Sequence, residues 1–260
     1  MRARLRPIGD APAVGSGGTR PARRRNVLLH GAMITGAAFA VSTVLGLVRD
    51  LLLAGFFGAN GSTDAFLVAW TLPENAVPLL IDNAMALLLV PVFTQALRER
   101  AAAGTGPGDP RDPVGRLVAA TLPWLAAFLV ALSLLVVITA PWLVAGLFPG
   151  LADPPLAVRA VRTIAASLVF IGIAGYFAAA LRAQLIYGPP ALINIAMNVG
   201  IIGLVLLAHR QWGVVAAVLG ATVGAALMLL VQLPAFRRHI GLPKRPRLSA
   251  GLRLGAFHST

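Results

Sequence analysis

Six apolar runs, each long enough to cross a lipid bilayer as a helix, dominate the sequence. A hydrocarbon core of roughly 30 Å needs about 20 residues of helix at a rise of about 1.5 Å per residue. The chain is 58% apolar and only 12% charged, with a mean hydropathy of +0.82, which excludes an ordinary soluble domain. We predict an all-α integral membrane protein with spans at about 28–57, 65–97, 117–147, 163–181, 191–208 and 213–233.

Basic residues are concentrated in the two ends of the chain and in the polar linker after the second run. Lys and Arg number 22 against 9 Asp and Glu, and basic residues in short loops stay on the cytoplasmic side of a membrane. This predicts a multi-pass protein with both ends inside. We expect Arg25, Thr105 and Lys244 to be cytoplasmic, and Asn60, Ala152 and Gln211 to face outward. The bias is weakest at the predicted outward loop 149–162, which carries Arg159 and Arg162.

Both ends are read as basic cytoplasmic segments. Residues 1–27 are rich in Gly, Pro and Arg, have little apolar surface and are predicted to be disordered. Residues 237–260 form a second basic tail, or the start of a linker to a second lobe. Such segments favour contact with membrane lipids. A nucleic-acid arm or a secretory signal at the N-terminus fits the sequence less well, and no nucleic-acid partner is predicted.

The residue types needed for enzyme chemistry are missing or scattered. The chain has no Cys, so thiol nucleophiles, disulfides and Cys-based zinc sites are excluded. Its 4 His show no metal-ligand spacing. Phosphate loops, nucleophile elbows and paired catalytic carboxylates are not found either. We therefore predict a protein that is not an enzyme and needs no cofactor.

Several ionisable or amide side chains lie inside the predicted spans. An ionised group at the centre of a bilayer costs roughly 2.5–3.5 kcal/mol, so it normally faces a cavity or a partner. Arg49 and Asp50 adjoin each other in the first span, and we expect them to point to different sides and to find partners elsewhere. Asp64 opens the second span, where capping the helix N-terminus is favoured over a role in transport.

The second and fifth spans carry further polar pairs. Glu74 and Asp82 are eight residues apart, which on a regular helix places them on one broad face. This favours lining of a water-filled cavity, and the alternative is that both are neutral and hydrogen-bonded. Asn194 and Asn198 have i, i+4 spacing in the fifth span, where hydrogen bonding between helices is at least as well supported as contact with a substrate.

The segment from Ser42 to Phe93 carries a cluster of short motifs. It reads STVLGLVRDLLLAGFFGANGSTDAFLVAWTLPENAVPLLIDNAMALLLVPVF and resembles the start of the MurJ/MviN family of lipid II flippases. The stretches APWLVAGLFPGLAD, ALRAQLIYGPPALINIAMNVGII and LMLLVQLPAF resemble later parts of the same family. Thr43 stands where the family usually has Arg, and the stretch 73–78 has gained an acid and lost two arginines.

The resemblance implies a fold, a location and a set of roles. It implies one six-helix lobe of a flippase of the multidrug/oligosaccharide/polysaccharide exporter type in the bacterial cytoplasmic membrane. Its substrate is a polyprenyl-pyrophosphate-linked peptidoglycan precursor, lipid II, carried by alternating access. Arg49 matches the arginine of the family's Arg-Asp motif, and Asp64 matches its TDAF aspartate. The implied substrate-binding residues are Arg49, Glu74, Asp82, Asn194 and Asn198, with Asp50 and Asp64 in gating or ion coupling.

Two other functions remain open from the residues alone. The acids at positions 64, 74 and 82 favour a cation-coupled exporter of drugs or polysaccharides. A single lobe also fits a scaffold for cell-envelope assembly that transports nothing. The partners considered are the lipid-linked precursor, membrane lipids, and a second lobe or another copy of the chain.

Overall fold

The computed structural model describes residues 19–58 and 61–241, and helices account for most of them. A short π-helical segment, Val77–Ala84, joins the second and third helices. The helices are α1 Thr19–Phe57, α2 Gly61–Ala76, α3 Met85–Ala102, α4 Pro113–Leu147, α5 Pro154–Ala165, α6 Ser167–Ala183, α7 Gly188–Ala191, α8 Ile193–Trp212 and α9 Val215–His239.

Five helical stretches in the described residues are long and apolar enough to cross a membrane. They are Gly31–Phe57, Pro113–Leu147, Pro154–Ala183, Ile193–Trp212 and Val215–His239. The predicted second span, 65–97, is instead divided among α2, the π-helical segment and α3. The span predicted at 163–181 corresponds to the stretch Pro154–Ala183 and begins earlier than predicted. Asp153 caps α5 there by accepting a hydrogen bond from the backbone N–H of Leu156 at 2.9 Å.

The π-helical segment contains Pro78 and Asn83. Pro78 has no backbone N–H, so the i→i−4 ladder is interrupted there. The side chain of Asn83 donates a hydrogen bond from Nδ2 to the carbonyl of Pro78 at 3.0 Å, across five residues. A π-helix has more residues per turn than an α-helix. The regular α-helical spacing assumed between Glu74 and Asp82 is therefore not observed, and their shared face stays a prediction.

The first helix begins before the predicted boundary. Residues 19–27, which the sequence assigns to a disordered tail, belong to α1. Four of these nine residues are Arg, which has a high helix propensity. The rest of the N-terminal tail, residues 1–18, lies outside the described residues, as do residues 59–60 and 242–260, with Asn60 and Lys244.

Helix α6 forms the centre of the lobe. It packs against α9, α3, α4 and the π-helical segment, and most of its residues are buried. Two buried clusters result: one spreads through most helices, and a second surrounds Tyr176 and Phe177 near the start of α4 and the end of α9. Helix α1 packs mainly on α8, and most of its other surface is exposed.

Helices α8 and α9 approach each other through glycine. A Cβ atom built on Gly200 would lie 2.3 Å from the Cα atom of Gly224 and 3.1 Å from the carbonyl of Gly220. Backbone atoms form this contact, so no flexible side chain can move aside. Small residues allow such close approach between helices in membranes.

We expect Gly200→Ala to destabilise the protein by about 1–3 kcal/mol through overpacking. Gly203→Ala is the matched control, because a Cβ atom there meets nothing within 4 Å. The control should leave stability unchanged or raise it by up to about 1 kcal/mol, since Ala favours a helix over Gly. Thermal unfolding of the two purified variants measures the difference. Equal stability of the two variants would contradict the close contact between α8 and α9.

A buried ion pair ties three helix ends together on the predicted cytoplasmic side. Arg100 of α3 donates from Nε to Oδ1 of Asp112 at 2.7 Å. Arg100 also donates to the carbonyls of His239 and Ile240 at 2.9 and 2.8 Å. Asp112 in turn caps α4 by accepting from the backbone N–H groups of Val114 and Gly115. Arg100 is one of the basic residues of the polar linker after the second apolar run, and this buried role was not predicted from the sequence.

Candidate functional site

Arg49 lies on α1 about two turns before the end of the helix, and its side chain is only 15% exposed. Its Nε donates to Oδ1 of Asp50 at 2.9 Å, and its Nη2 lies 2.8 Å from the same oxygen. The prediction that each of these neighbours pairs elsewhere was therefore wrong for Asp50, whereas Arg49 also has partners on other helices. An arginine side chain is long enough to fold back onto the next residue, whatever the directions of the two Cβ atoms.

Two further helices hold the Arg49 guanidinium. Its Cζ atom lies 4.5 Å from the centre of the Trp70 ring on α2, a distance at which a cation is attracted to the ring face. Its Nη1 donates to Oδ1 of Asn198 on α8 at 3.4 Å. The Trp70 ring in turn stacks on Phe66, with centroids 6.0 Å apart. Arg49 therefore joins α1, α2 and α8 at one point.

Asn198 is fixed by its own hydrogen bonds. The residue is 7% exposed, and its Nδ2 donates to the carbonyl of Asn194 at 3.0 Å. The same Nδ2 lies 3.4 and 3.5 Å from the carbonyl and hydroxyl oxygens of Ser42. These contacts direct the amide oxygen toward Arg49. Asn194 contributes its backbone carbonyl to this arrangement, so the i, i+4 pair acts as one unit.

The guanidinium keeps donors for a ligand. An arginine has five N–H donors. One on Nε and one on Nη2 face Asp50, and one on Nη1 faces Asn198. Among the described residues, one N–H on each Nη nitrogen has no assigned partner. Guanidinium N–H groups form strong hydrogen bonds to the oxygens of a phosphate or carboxylate.

The predicted acidic residues do not join this cluster. Asp64 is exposed and lies in the first turn of α2, which begins three residues earlier at Gly61. It is therefore not the N-cap residue, and what remains is the favourable interaction of an acid with the helix dipole. In the described part of the chain, ion pairs are found between Arg49 and Asp50 and between Arg100 and Asp112, so Arg49 does not pair with Asp64.

Glu74 is exposed near the end of α2, one helical turn after Trp70. The side chain of Asp82, the other predicted acid of this span, lies outside the described part of the structure. Among the described residues, no group of three His, Asp or Glu side chains could hold a metal ion. The structure thus brings together Arg49, Asp50, Asn194 and Asn198, and adds Trp70 and Ser42 to them.

Trp70 was missed because a single sequence does not say which aromatic residue faces a buried cation. A usable signal was present: α2 carries a tryptophan within two turns of the TDAF motif, and an arginine inside a span needs partners. The same reasoning could have suggested Ser42, which lies two turns before Arg49 on the same helix.

Comparison with known protein families gives a match over most of the chain. Residues 53–257 match the family described as lipid II flippase MurJ. Arg49 and Asp50 lie just before the first matched residue. The resemblance identified from sequence motifs is therefore confirmed.

Individual relatives agree with the family match. The chain is 30% identical to the lipid II flippase MurJ of Burkholderia cenocepacia over 217 residues, which cover 81% of this chain and 40% of that protein. It is 27% identical to a probable lipid II flippase MurJ of Treponema pallidum over 217 residues, with shares of 81% and 39%. The chain thus spans about two fifths of the length of these relatives.

A solved structure shares the fold. Lipid II flippase MurJ in an inward closed conformation superposes with a TM-score of 0.62 at 18% identity, over 80% of this chain and 42% of that one. The all-α membrane fold of flippase type predicted from the sequence is confirmed by this similarity.

Proposed function

The chain belongs to the MurJ family of lipid II flippases, and we propose that it forms one lobe of a flippase for a polyprenyl-pyrophosphate-linked peptidoglycan precursor. The lobe carries the anionic headgroup outward across the bacterial cytoplasmic membrane by alternating access. The polyprenyl tail stays in the bilayer. A second lobe, from a further part of the protein or from another copy, completes the transport pathway.

The observation that carries this proposal is the held guanidinium of Arg49. Trp70 and Asn198 fix its position, and two N–H donors remain for a ligand. Arginine stays charged when it is partly buried, and its fork matches two oxygens of a phosphate. A pyrophosphate is the part of the precursor that such a group recognises.

Asp50 acts as the internal competitor of the substrate in this proposal. Its side chain is 59% exposed and occupies two donors of Arg49. When a pyrophosphate binds, those donors can pass from the carboxylate to phosphate oxygens, because both are anionic acceptors. When the substrate leaves, the donors of Arg49 pair with the Asp50 carboxylate again. The charge of Arg49 is therefore compensated in both states.

Glu74 and Asp82 are proposed to line the same pathway. A carboxylate that faced lipid would be unfavourable by several kcal/mol, and Glu74 is exposed on the lobe surface one turn from Trp70. In a water-filled cleft against the second lobe, the Glu74 carboxylate remains hydrated. Asp64 at the start of α2 is proposed to act in gating.

The orientation is proposed to follow the distribution of basic residues, with both chain ends in the cytoplasm. Arg98, Arg116 and Arg182 then lie at the inner ends of α3, α4 and α6. The buried pair of Arg100 and Asp112 lies on the same side. Ala152 and Gln211 face outward.

The transport proposal is tested in cells whose own lipid II flippase can be depleted. Expression of the full-length protein should restore outward movement of the precursor, measured as its cleavage by a membrane-impermeant hydrolase added to intact cells. Membrane abundance is measured in parallel by immunoblotting. Normal abundance without externalised precursor would contradict the proposal and favour a scaffold. Export of other amphiphiles driven by a proton or sodium gradient would favour the cation-coupled exporter.

A further inference from the structure

A groove of about 820 Å³ lies between the C-terminal end of α4 and α5. Val144 and Phe148 of α4 and Val158 of α5 form part of its apolar wall. Among the described residues that line it, the charged ones are Arg159 and Arg162, both on α5. The groove is thus apolar with two guanidinium groups along one side.

The two arginines share one face of α5, because residues at i and i+3 are neighbours on a helix. Both are exposed, whereas the opposite face of α5 is buried in the lobe. Arg162 donates from Nε to the carbonyl of Val137 on α4 at 3.2 Å, which holds it beside that helix. Neither arginine forms an ion pair with another described residue.

Two tryptophans indicate the depth of the groove in the membrane. Trp124 and Trp142 on α4 are 50% and 70% exposed. They lie eighteen positions apart, which is about 27 Å along a helix and close to the thickness of the hydrocarbon core. Tryptophan is enriched at both membrane interfaces. The groove includes Pro141 and so begins at the level of the lipid headgroups, on the outer side in the proposed orientation.

The apolar wall of the groove continues toward the middle of the membrane. Pro141 and Ala145 line the groove, and Ile138 and Leu134 follow on the same stripe of α4 at helical spacing. Both of these side chains are exposed. A ligand with a charged head in the groove could therefore lay hydrocarbon along this stripe.

We propose that this groove is a binding site for an anionic phospholipid of the outer leaflet. Its phosphate lies against Arg159 and Arg162, and its acyl chains pack along Leu134 and Ile138. The site is separate from the cluster around Arg49, and the proposal does not depend on transport. It also accounts for two arginines in a predicted outward segment, where the distribution of charge disfavours them.

The test is lipid retention by the purified full-length protein. The protein in detergent is titrated with dioleoylphosphatidylglycerol, and bound lipid is counted by native mass spectrometry. We expect the affinity for the most tightly bound lipid to fall about tenfold from wild type to Arg159→Ala/Arg162→Ala, because charge-assisted contacts to phosphate are lost. Ala145→Phe should weaken it as well, since Ala145 is exposed in the groove and the larger side chain fills it without changing charge.

The matched control is Arg98→Ala/Arg116→Ala, which removes two exposed arginines from the opposite end of the lobe. It should leave the tightest binding unchanged. Equal loss in both double variants, or no loss in Arg159→Ala/Arg162→Ala, would overturn the proposal. Displacement of the lipid by millimolar inorganic phosphate, or equal binding of dioleoylphosphatidylcholine, would overturn it too. Thermal unfolding shows that each variant is folded, and Arg159→Lys/Arg162→Lys should retain part of the binding.

Discussion

Replacing Arg49 with Ala is expected to abolish outward transport of the lipid-linked precursor while the protein remains in the membrane at normal abundance. The substitution removes the two N–H donors proposed to bind the pyrophosphate. Hydrogen bonds to charged groups contribute about 1.5–3 kcal/mol each, so the expected loss is at least roughly hundredfold in binding. Cleavage of externalised precursor in flippase-depleted cells measures this effect.

Conservative variants separate substrate contact from a fastening role of Arg49. Arg49→Lys should recover only part of the activity, because an ammonium group lacks the planar fork. Arg49→Gln can still reach Asn198 but carries no charge, and we expect it to be inactive at normal abundance. Arg210→Ala, an exposed arginine at the end of α8, is the control and should be fully active. Full activity of Arg49→Gln would refute the headgroup contact.

Arg100→Ala and Asp112→Ala are each expected to lower the stability of the folded protein by about 3–5 kcal/mol, because each leaves its partner as an unpaired buried charge. Both residues are buried, and Arg100 also holds two backbone carbonyls after α9. A loss of this size is a large fraction of the total stability of a protein. Folded protein recovered after mild detergent extraction, followed by thermal unfolding, measures the change.

Neighbouring and paired variants serve as controls for this prediction. Arg98→Ala removes an exposed arginine two residues earlier and should change stability by less than about 0.5 kcal/mol. Arg100→Met combined with Asp112→Asn removes both charges, and Asn still caps a helix. The double variant should therefore be more stable than Asp112→Ala alone. An Arg100→Ala protein as stable as wild type would contradict the structural role of the pair.

The apolar runs were enough to predict an all-α membrane protein, because the length of a span is set by the thickness of the bilayer. They could not predict how the second run is divided. Pro78 removes one backbone donor, but whether a helix then kinks, stops or widens into a π-helix depends on neighbours such as Asn83. The common face of Glu74 and Asp82 stays a prediction, because the side chain of Asp82 lies outside the described part of the structure.

The candidate site was predicted in part. An arginine inside a span can be recognised from the sequence as a candidate site residue, and so can an asparagine pair at i, i+4 spacing. The partners of Arg49 were not predictable, because they come from α2 and α8 and depend on how these helices pack. The pairing of Arg49 with Asp50 was not predicted either, because the length of the arginine side chain was left out of the argument. The pair of Arg100 and Asp112 was hidden because it is formed across a polar linker that looks like solvent-exposed sequence.

The hydrogen bonds from Arg100 to the carbonyls of His239 and Ile240 connect the end of α9 to α3 and, through Asp112, to the start of α4. The sequence continues beyond Gly241. A pull on that part of the chain would have to break the hydrogen bonds from Arg100 before it could unwind α9. The force would be transmitted through the Arg100–Asp112 pair to the start of α4, and through the backbone of Arg100 to α3. A pull from outside the lobe would therefore displace α3, α4 and α9 together, as one lever, rather than fray the end of a single helix.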